Sequence, residues 1–157
     1  MLRPVFYKYS PTRWNTPAGI CYNSLYGEPY YMNDPRLRRF MAVSKALADE
    51  NRVRIIALLR GRCLCVCQII AVLGLAPSTV SKHLSILRAA GLLDIEKRGR
   101  WIYCRLAGTE APGPAREALA WLKASLKGAG PLADDRRSLA QVLKIRPQTL
   151  CRRITGC

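Results

Sequence analysis

The sequence predicts a mainly α fold with a small β-hairpin wing, a homodimeric winged helix-turn-helix, and three observations carry that expectation. Between Pro77 and Gly91, Val80, Leu84 and Leu87 recur at helical spacing, and the opposite face holds Ser78, Thr79, Ser81, Lys82 and Ser85 with no acidic residue anywhere in the stretch. A short apolar helix, Cys65 to Leu73, precedes it across a tight Gly74-Leu75-Ala76 turn. Directly after Gly91 the apolar period changes from helical to alternating, which marks a hairpin.

Taken in order, residues 1–33 stand apart. They hold eight of the twelve aromatics and four prolines without a sustained period. Either they form an irregular aromatic arm, or they lie upstream of a natural start at Met32. The second reading is favoured because regular patterning begins abruptly at Asn33-Asp34-Pro35, a helix-opening signal. The first helix then runs to about Ala48 with Leu37, Phe40, Met41, Ser44 and Leu47 on one side. Asp49 or Asn51 caps a second, roughly Glu50 to Arg60, with Val53, Ile56 and Ala57 inward and Gly61 as its stop.

Beyond the helix-turn-helix, Leu92 to Glu96 and Trp101 to Leu106 flank the basic turn Lys97-Arg98-Gly99-Arg100. Ile102, Cys104 and Leu106 fall on one face of the hairpin, Trp101, Tyr103 and Arg105 on the other. Arg98 and Arg100 give the tip a positive charge suited to phosphate. Pro112-Gly113-Pro114 closes this module. The following helix, with Ala115, Leu119, Leu122 and Leu126 flanked by Ala118 and Trp121, has an apolar face wide enough to need a second copy of the chain. Gly128-Ala129-Gly130-Pro131 breaks that helix, and short helices follow around 133–143 and 147–154. The expected division is an extension at 1–33, a DNA-binding and dimerisation domain at 34–127, and a helical tail at 128–157.

The chain of 157 residues has 26 Lys+Arg against 10 Asp+Glu, net +16, and +9 of that lies in residues 34–107. Such a balance favours a polyanion, nucleic acid or an anionic membrane surface. The 19 uncharged residues from Cys63 to Ser81 approach a membrane length, but Gln68, Pro77, Ser78, Thr79 and Ser81 interrupt them, so no span is expected. A phosphate loop, a His/Asp/Ser constellation and a paired-acid motif are all missing, which argues against an enzyme. Seven cysteines, an odd number with no secretory signal before them, point to a cytoplasmic protein with free thiols.

The stretches Leu47 to Leu59, Leu64-Cys65-Val66-Cys67, Pro77 to Gly91 and Arg98 to Tyr103 resemble, in order and spacing, the ArsR/SmtB metalloregulators, and within them the arsenic-operon repressors. The tail from Leu119-Ala120-Trp121-Leu122 through Leu150-Cys151-Arg152-Arg153 is similar to that of some arsenical repressors, less specifically. The resemblance implies a homodimer that binds double-stranded operator DNA and falls off when a metal binds. Ser78, Thr79, Ser81, Lys82, His83, Ser85, Arg98 and Arg100 would then contact DNA. Three departures stand out: Cys63 where an acid is common, Ala76 where a Ser or Thr cap is common, and Ile70 where some members carry a third Cys.

Trivalent arsenic and antimony are thiophilic, so Cys63, Cys65 and Cys67 are the candidate ligands. On a helix, residues i and i+2 point about 200° apart, so Cys65 and Cys67 meet on one ion only if the helix start is extended or unwound. In an extended segment Cys63 shares their face, and it is the expected third ligand. Cys104 belongs to the hairpin's inner face, and Cys151 with Cys157 would make a second site of exposed tail thiols. His83 is the only histidine, which removes the His-containing sites of zinc and nickel sensors. The alternatives are a cadmium- or lead-responsive repressor using an N-terminal thiol such as Cys21, a thiol-redox repressor of the same fold and, more distantly, a basic membrane-surface protein.

Overall fold

A computed structural model describes residues 34–126 and 130–155. The expectations for residues 1–33, including the start at Met32 and a role for Cys21, lie outside the described residues, as do Gly128, Ala129 and Cys157. From Pro35 onward the chain forms one compact unit. Helices α1 (Pro35–Leu47) and α2 (Glu50–Leu58) lead into strand β1 (Leu64–Cys65), α3 (Val66–Leu73) and α4 (Pro77–Ala89). Strands β2 (Leu93–Arg98) and β3 (Trp101–Leu106) follow, then α5 (Gly113–Ser125), α6 (Gly130–Val142) and α7 (Pro147–Thr155).

The turns fall where the local chemistry requires them. Asp49 caps α2, its carboxylate accepting from the Arg52 N–H at 3.0 Å. Arg52 in turn donates to the carbonyls of Ala46 and Lys45 at the end of α1, fixing the corner between the two helices. Gly74 ends α3 in the left-handed region, φ 66°, and α4 leaves at 115° to α3. Ala76 provides no side-chain cap, so α4 opens on Pro77 alone. Gly91 follows α4 at φ 71°, and a Cβ there would come within 3.0 Å of Pro112.

Ile55, Leu58, Leu59, Leu64, Ile69, Leu87, Leu92 and Leu93 form the fully buried centre, where α2, α3, α4 and the sheet meet. Each such side chain contributes roughly 1.5–3 kcal/mol by leaving water. The inward face of α2 is therefore Ile55, Ile56, Leu58 and Leu59, while Val53 and Ala57 are only half-buried. On α1 the buried residues are Val43 and Ala46, while Leu37, Phe40 and Met41 of the apolar side remain exposed.

The sheet has three strands in the order β1-β3-β2, both pairings antiparallel. The hairpin runs to Arg98 opposite Trp101, leaving Gly99-Arg100 as its turn. β1 is an addition to the expected hairpin. Its Leu64 pairs with Cys104 and its Cys65 with Tyr103, so Cys65 begins as sheet and α3 starts one residue later. Cys104 is the inner residue of β3, whereas Ile102 on the same side is exposed near the tip.

The tail helices pack onto the winged-helix core. Leu132, Leu139 and Leu150 are buried against it. Arg54 of α2 grips Asp135 of α6 through two bonds of 2.8 Å, and Asp135 is only 6% exposed. That contact draws the Arg54 pKa up, its hydrogen bond to Asp135 outweighing the opposing effect of burial.

Candidate DNA-reading face and thiol site

Helix α4 buries Val80, Leu84 and Leu87 and leaves Ser78, Thr79, Ser81, Lys82 and Ser85 exposed. Short hydroxyls and one ammonium on a helix without acids suit the edges of bases and the phosphates between them. His83 departs from the expected set. Its side chain is 12% exposed and turned inward, with Nδ1 3.7 Å from the Asp49 carboxylate that caps α2. It lies at the joint of α2 and α4 rather than on the polar face.

The wing tip carries Arg98 and Arg100, both exposed. Arg98 is already engaged: its guanidinium pairs with Glu96 at 2.8 Å and stacks 5.3 Å from the Tyr103 ring centre. The Glu96 carboxyl is held below its ordinary range chiefly by that hydrogen bond. Among the described residues no single helix is long and apolar enough to cross a membrane.

The cysteines divide by environment. Cys65 caps α3 in extended backbone, φ −68° and ψ 144°, its N–H donating to the Gln68 side-chain oxygen at 2.9 Å. Cys67 follows in the first turn of α3. The extended start that two-sulfur binding requires is thus already present, and unwinding of α3 is unnecessary. Cys63 is exposed and free, whereas Cys104 is buried and free. Burial pushes the Cys104 thiol up to about 12, with smaller contributions from Cys63 and Cys65. A thiol that keeps its proton makes a poor ligand, in accord with a core role.

The structure brings Cys65 and Cys67 together with Cys151 of α7, not with Cys63. The three sulfurs lie within 4.8 Å of one another. Cys67 and Cys151 are joined as a disulfide, with Cα atoms 5.6 Å apart. The expectation of free thiols therefore holds for Cys63, Cys65 and Cys104 but not for this pair, and Cys151 is a half-buried packing residue rather than an exposed tail thiol. Trp101, Tyr103, Val142 and Leu150 close around the group, so it sits against the wing strand on one side and α7 on the other. Nothing in local sequence could signal Cys151, which is 84 residues from its partner.

Comparison with known proteins converges on one group. Residues 49–94 match the family model described as bacterial regulatory protein, arsR family. Over 87 residues the chain is 40% identical to an arsenic resistance transcriptional regulator of Pseudomonas putida, a match covering 55% of this chain and 62% of that protein. The chain thus spans about three fifths of that relative's length. It is 38% identical over 85 residues to the arsenical resistance operon repressor of Bacillus subtilis, covering 53% of this chain and 80% of the relative. Among solved structures, the homodimeric winged helix-turn-helix DNA-binding domain of a possible ArsR-family regulator from Mycobacterium bovis superposes with a TM-score of 0.51 at 27% identity. That match covers 61% of this chain and 86% of that one.

Proposed function

The chain belongs to the ArsR family of bacterial regulatory proteins, and on that premise we propose that it is a homodimeric, cytoplasmic transcriptional repressor that binds double-stranded operator DNA and releases it when trivalent arsenic or antimony binds its thiolates. It has no catalytic task in this reading. The observation that carries it is the position of Cys65 and Cys67. Cys65 is paired with Tyr103 on the wing strand, and Cys67 lies in the first turn of the helix that supports α4. An ion drawing these sulfurs together acts on the wing and the helix-turn-helix at once. Its preference for the geometry that disfavours DNA is the coupling energy, and DNA weakens metalloid binding by the same factor.

The test is a gel shift with the reduced chain on the DNA upstream of its own gene, titrated with arsenite, antimonite, cadmium and hydrogen peroxide. Release by the two metalloids at lower concentration than by cadmium or peroxide supports the reading. Release by peroxide alone makes the chain a thiol-redox repressor. With on the order of 6–10 phosphates neutralised, log K should fall against log salt with a slope of roughly −0.9 per phosphate. Lys82→Ala and Arg100→Ala should each weaken binding and flatten that slope. A slope near zero, or liposome binding without duplex binding, removes DNA as the partner.

A further inference from the structure

We propose that Cys151 supplies the third sulfur of the effector site, so that a helix outside the winged-helix module completes it, and that the Cys67–Cys151 bond is the closed state of the same site. This rests on the reading of Cys65 and Cys67 as ligands. Sulfurs bound to one ion at about 2.3 Å are within about 4.6 Å of each other. The Cys65, Cys67 and Cys151 sulfurs already lie within 4.8 Å of one another, close to that limit. Cys63, two residues from Cys65 in sequence, is exposed and outside the group.

The surroundings suit a ligand that sheds water on binding. Cys65 is 1% exposed and Cys67 8%, and Trp101, Tyr103 and Leu150 pack around them. Contacts besides the cysteine also hold α7 there: Leu150 is buried, and the preceding α6 is fixed to α2 by the Arg54–Asp135 fork. The third sulfur is therefore presented by packing.

The chemistry balances in two steps. Two molecules of a low-molecular-weight monothiol break the Cys67–Cys151 bond by exchange, leaving with a disulfide between themselves and a proton on each freed sulfur. Arsenous acid then condenses with the three thiols, forming three As–S bonds as its three hydroxyls leave with the thiol protons as three waters. While Cys67 and Cys151 are bonded to each other, neither has a proton to exchange and only Cys65 remains, so the oxidised protein is blind to arsenite.

The experiment uses the full chain, reduced with a phosphine and then freed of it, with arsenite as the probe. Arsenic X-ray absorption should count three sulfurs in the wild type and in Cys63→Ser, and two in Cys151→Ser. Arsenite release of DNA by Cys151→Ser should need a concentration higher on the order of tenfold or more, because the third bond no longer adds to the first two. Cys151→Ala provides the same comparison without a buried hydroxyl, and both variants are checked for wild-type DNA affinity before arsenite is added. The unreduced wild type should take up no arsenic. Three sulfurs and a wild-type midpoint in both Cys151 variants overturn the proposal while leaving Cys65 and Cys67 as ligands. Uptake by the unreduced wild type overturns the closed state. A reduced wild type that binds no arsenic at all overturns the arsenic-responsive reading itself.

Discussion

Burial raises the Cys104 thiol, whose sulfur lies outside the group formed by Cys65, Cys67 and Cys151. Cys104 keeps its proton up to about pH 12 in the folded state, against an ordinary 9.0, because its site on β3 excludes water. Below pH 9 both the folded and the unfolded chain hold that proton, and stability is unaffected. Between about 9 and 12 only the folded chain holds it, so stability falls as pH rises, by about 1.4 kcal/mol per pH unit. Urea unfolding of Cys104→Ala against pH should show a flatter alkaline limb than the wild type, and an unchanged limb would assign the loss to another group. Residues of this kind were legible to the extent that one turn of helix or one strand decides them. The exposed hydroxyls of α4 were, since they oppose Val80, Leu84 and Leu87. His83 was misplaced by its polarity, although it stands three residues after Val80 and four before Leu87, within the buried stripe. Cys151 was beyond reach because only tertiary packing brings α7 to α3.

The helices that a local pattern announces appear where expected, with α2, α4, α6 and α7 starting or stopping at capping or Gly/Pro signals in the sequence. β1 is different. Two residues have no period, and their strand character comes entirely from pairing with β3. On the proposed reading that pairing changes the mechanism, since it couples Cys65 to the wing strand without any unwinding of α3. The attachment of α6 is equally invisible in sequence, because Arg54 and Asp135 are 81 residues apart. Arg54→Met leaves the Asp135 carboxylate buried without its fork and should cost about 2–3 kcal/mol, toward the lower end for a buried pair because Arg54 is partly solvated. Replacing both, Arg54→Met with Asp135→Leu, should recover most of the loss, measured as the urea midpoint. A double variant as unstable as the single would show that the contact matters for shape rather than for charge. The single variant should also respond to arsenite less sensitively, because α6 no longer braces the helix that carries Cys151.

At the scale of the molecule, the sequence pattern points to the family architecture and to a second copy of the chain, but not to which apolar side chains the single chain leaves uncovered. Leu37, Phe40 and Met41 share one side of α1 by helical spacing. In the single chain those residues are 39%, 57% and 42% exposed, and Trp121 on α5 is 63% exposed. α1 and α5 pack against one another, so both helices leave large apolar side chains uncovered in the same part of the fold. Apolar surface of this kind on a water-facing domain marks an interface. A two-fold pairing through it would place two α4 helices on successive half-sites of one duplex. Phe40→Glu would put a carboxylate at the most exposed of the three α1 side chains, outside the core of the single chain. It should therefore shift sedimentation from dimer to monomer and weaken operator binding, with little change in the helical content of the folded chain. The control is Glu50→Gln, an exposed position on α2 away from the α1 stripe, which should leave both readouts unchanged. If Phe40→Glu sediments as a dimer and binds DNA like the wild type, the α1 face is not the interface, and the partner must approach from another side of the protein.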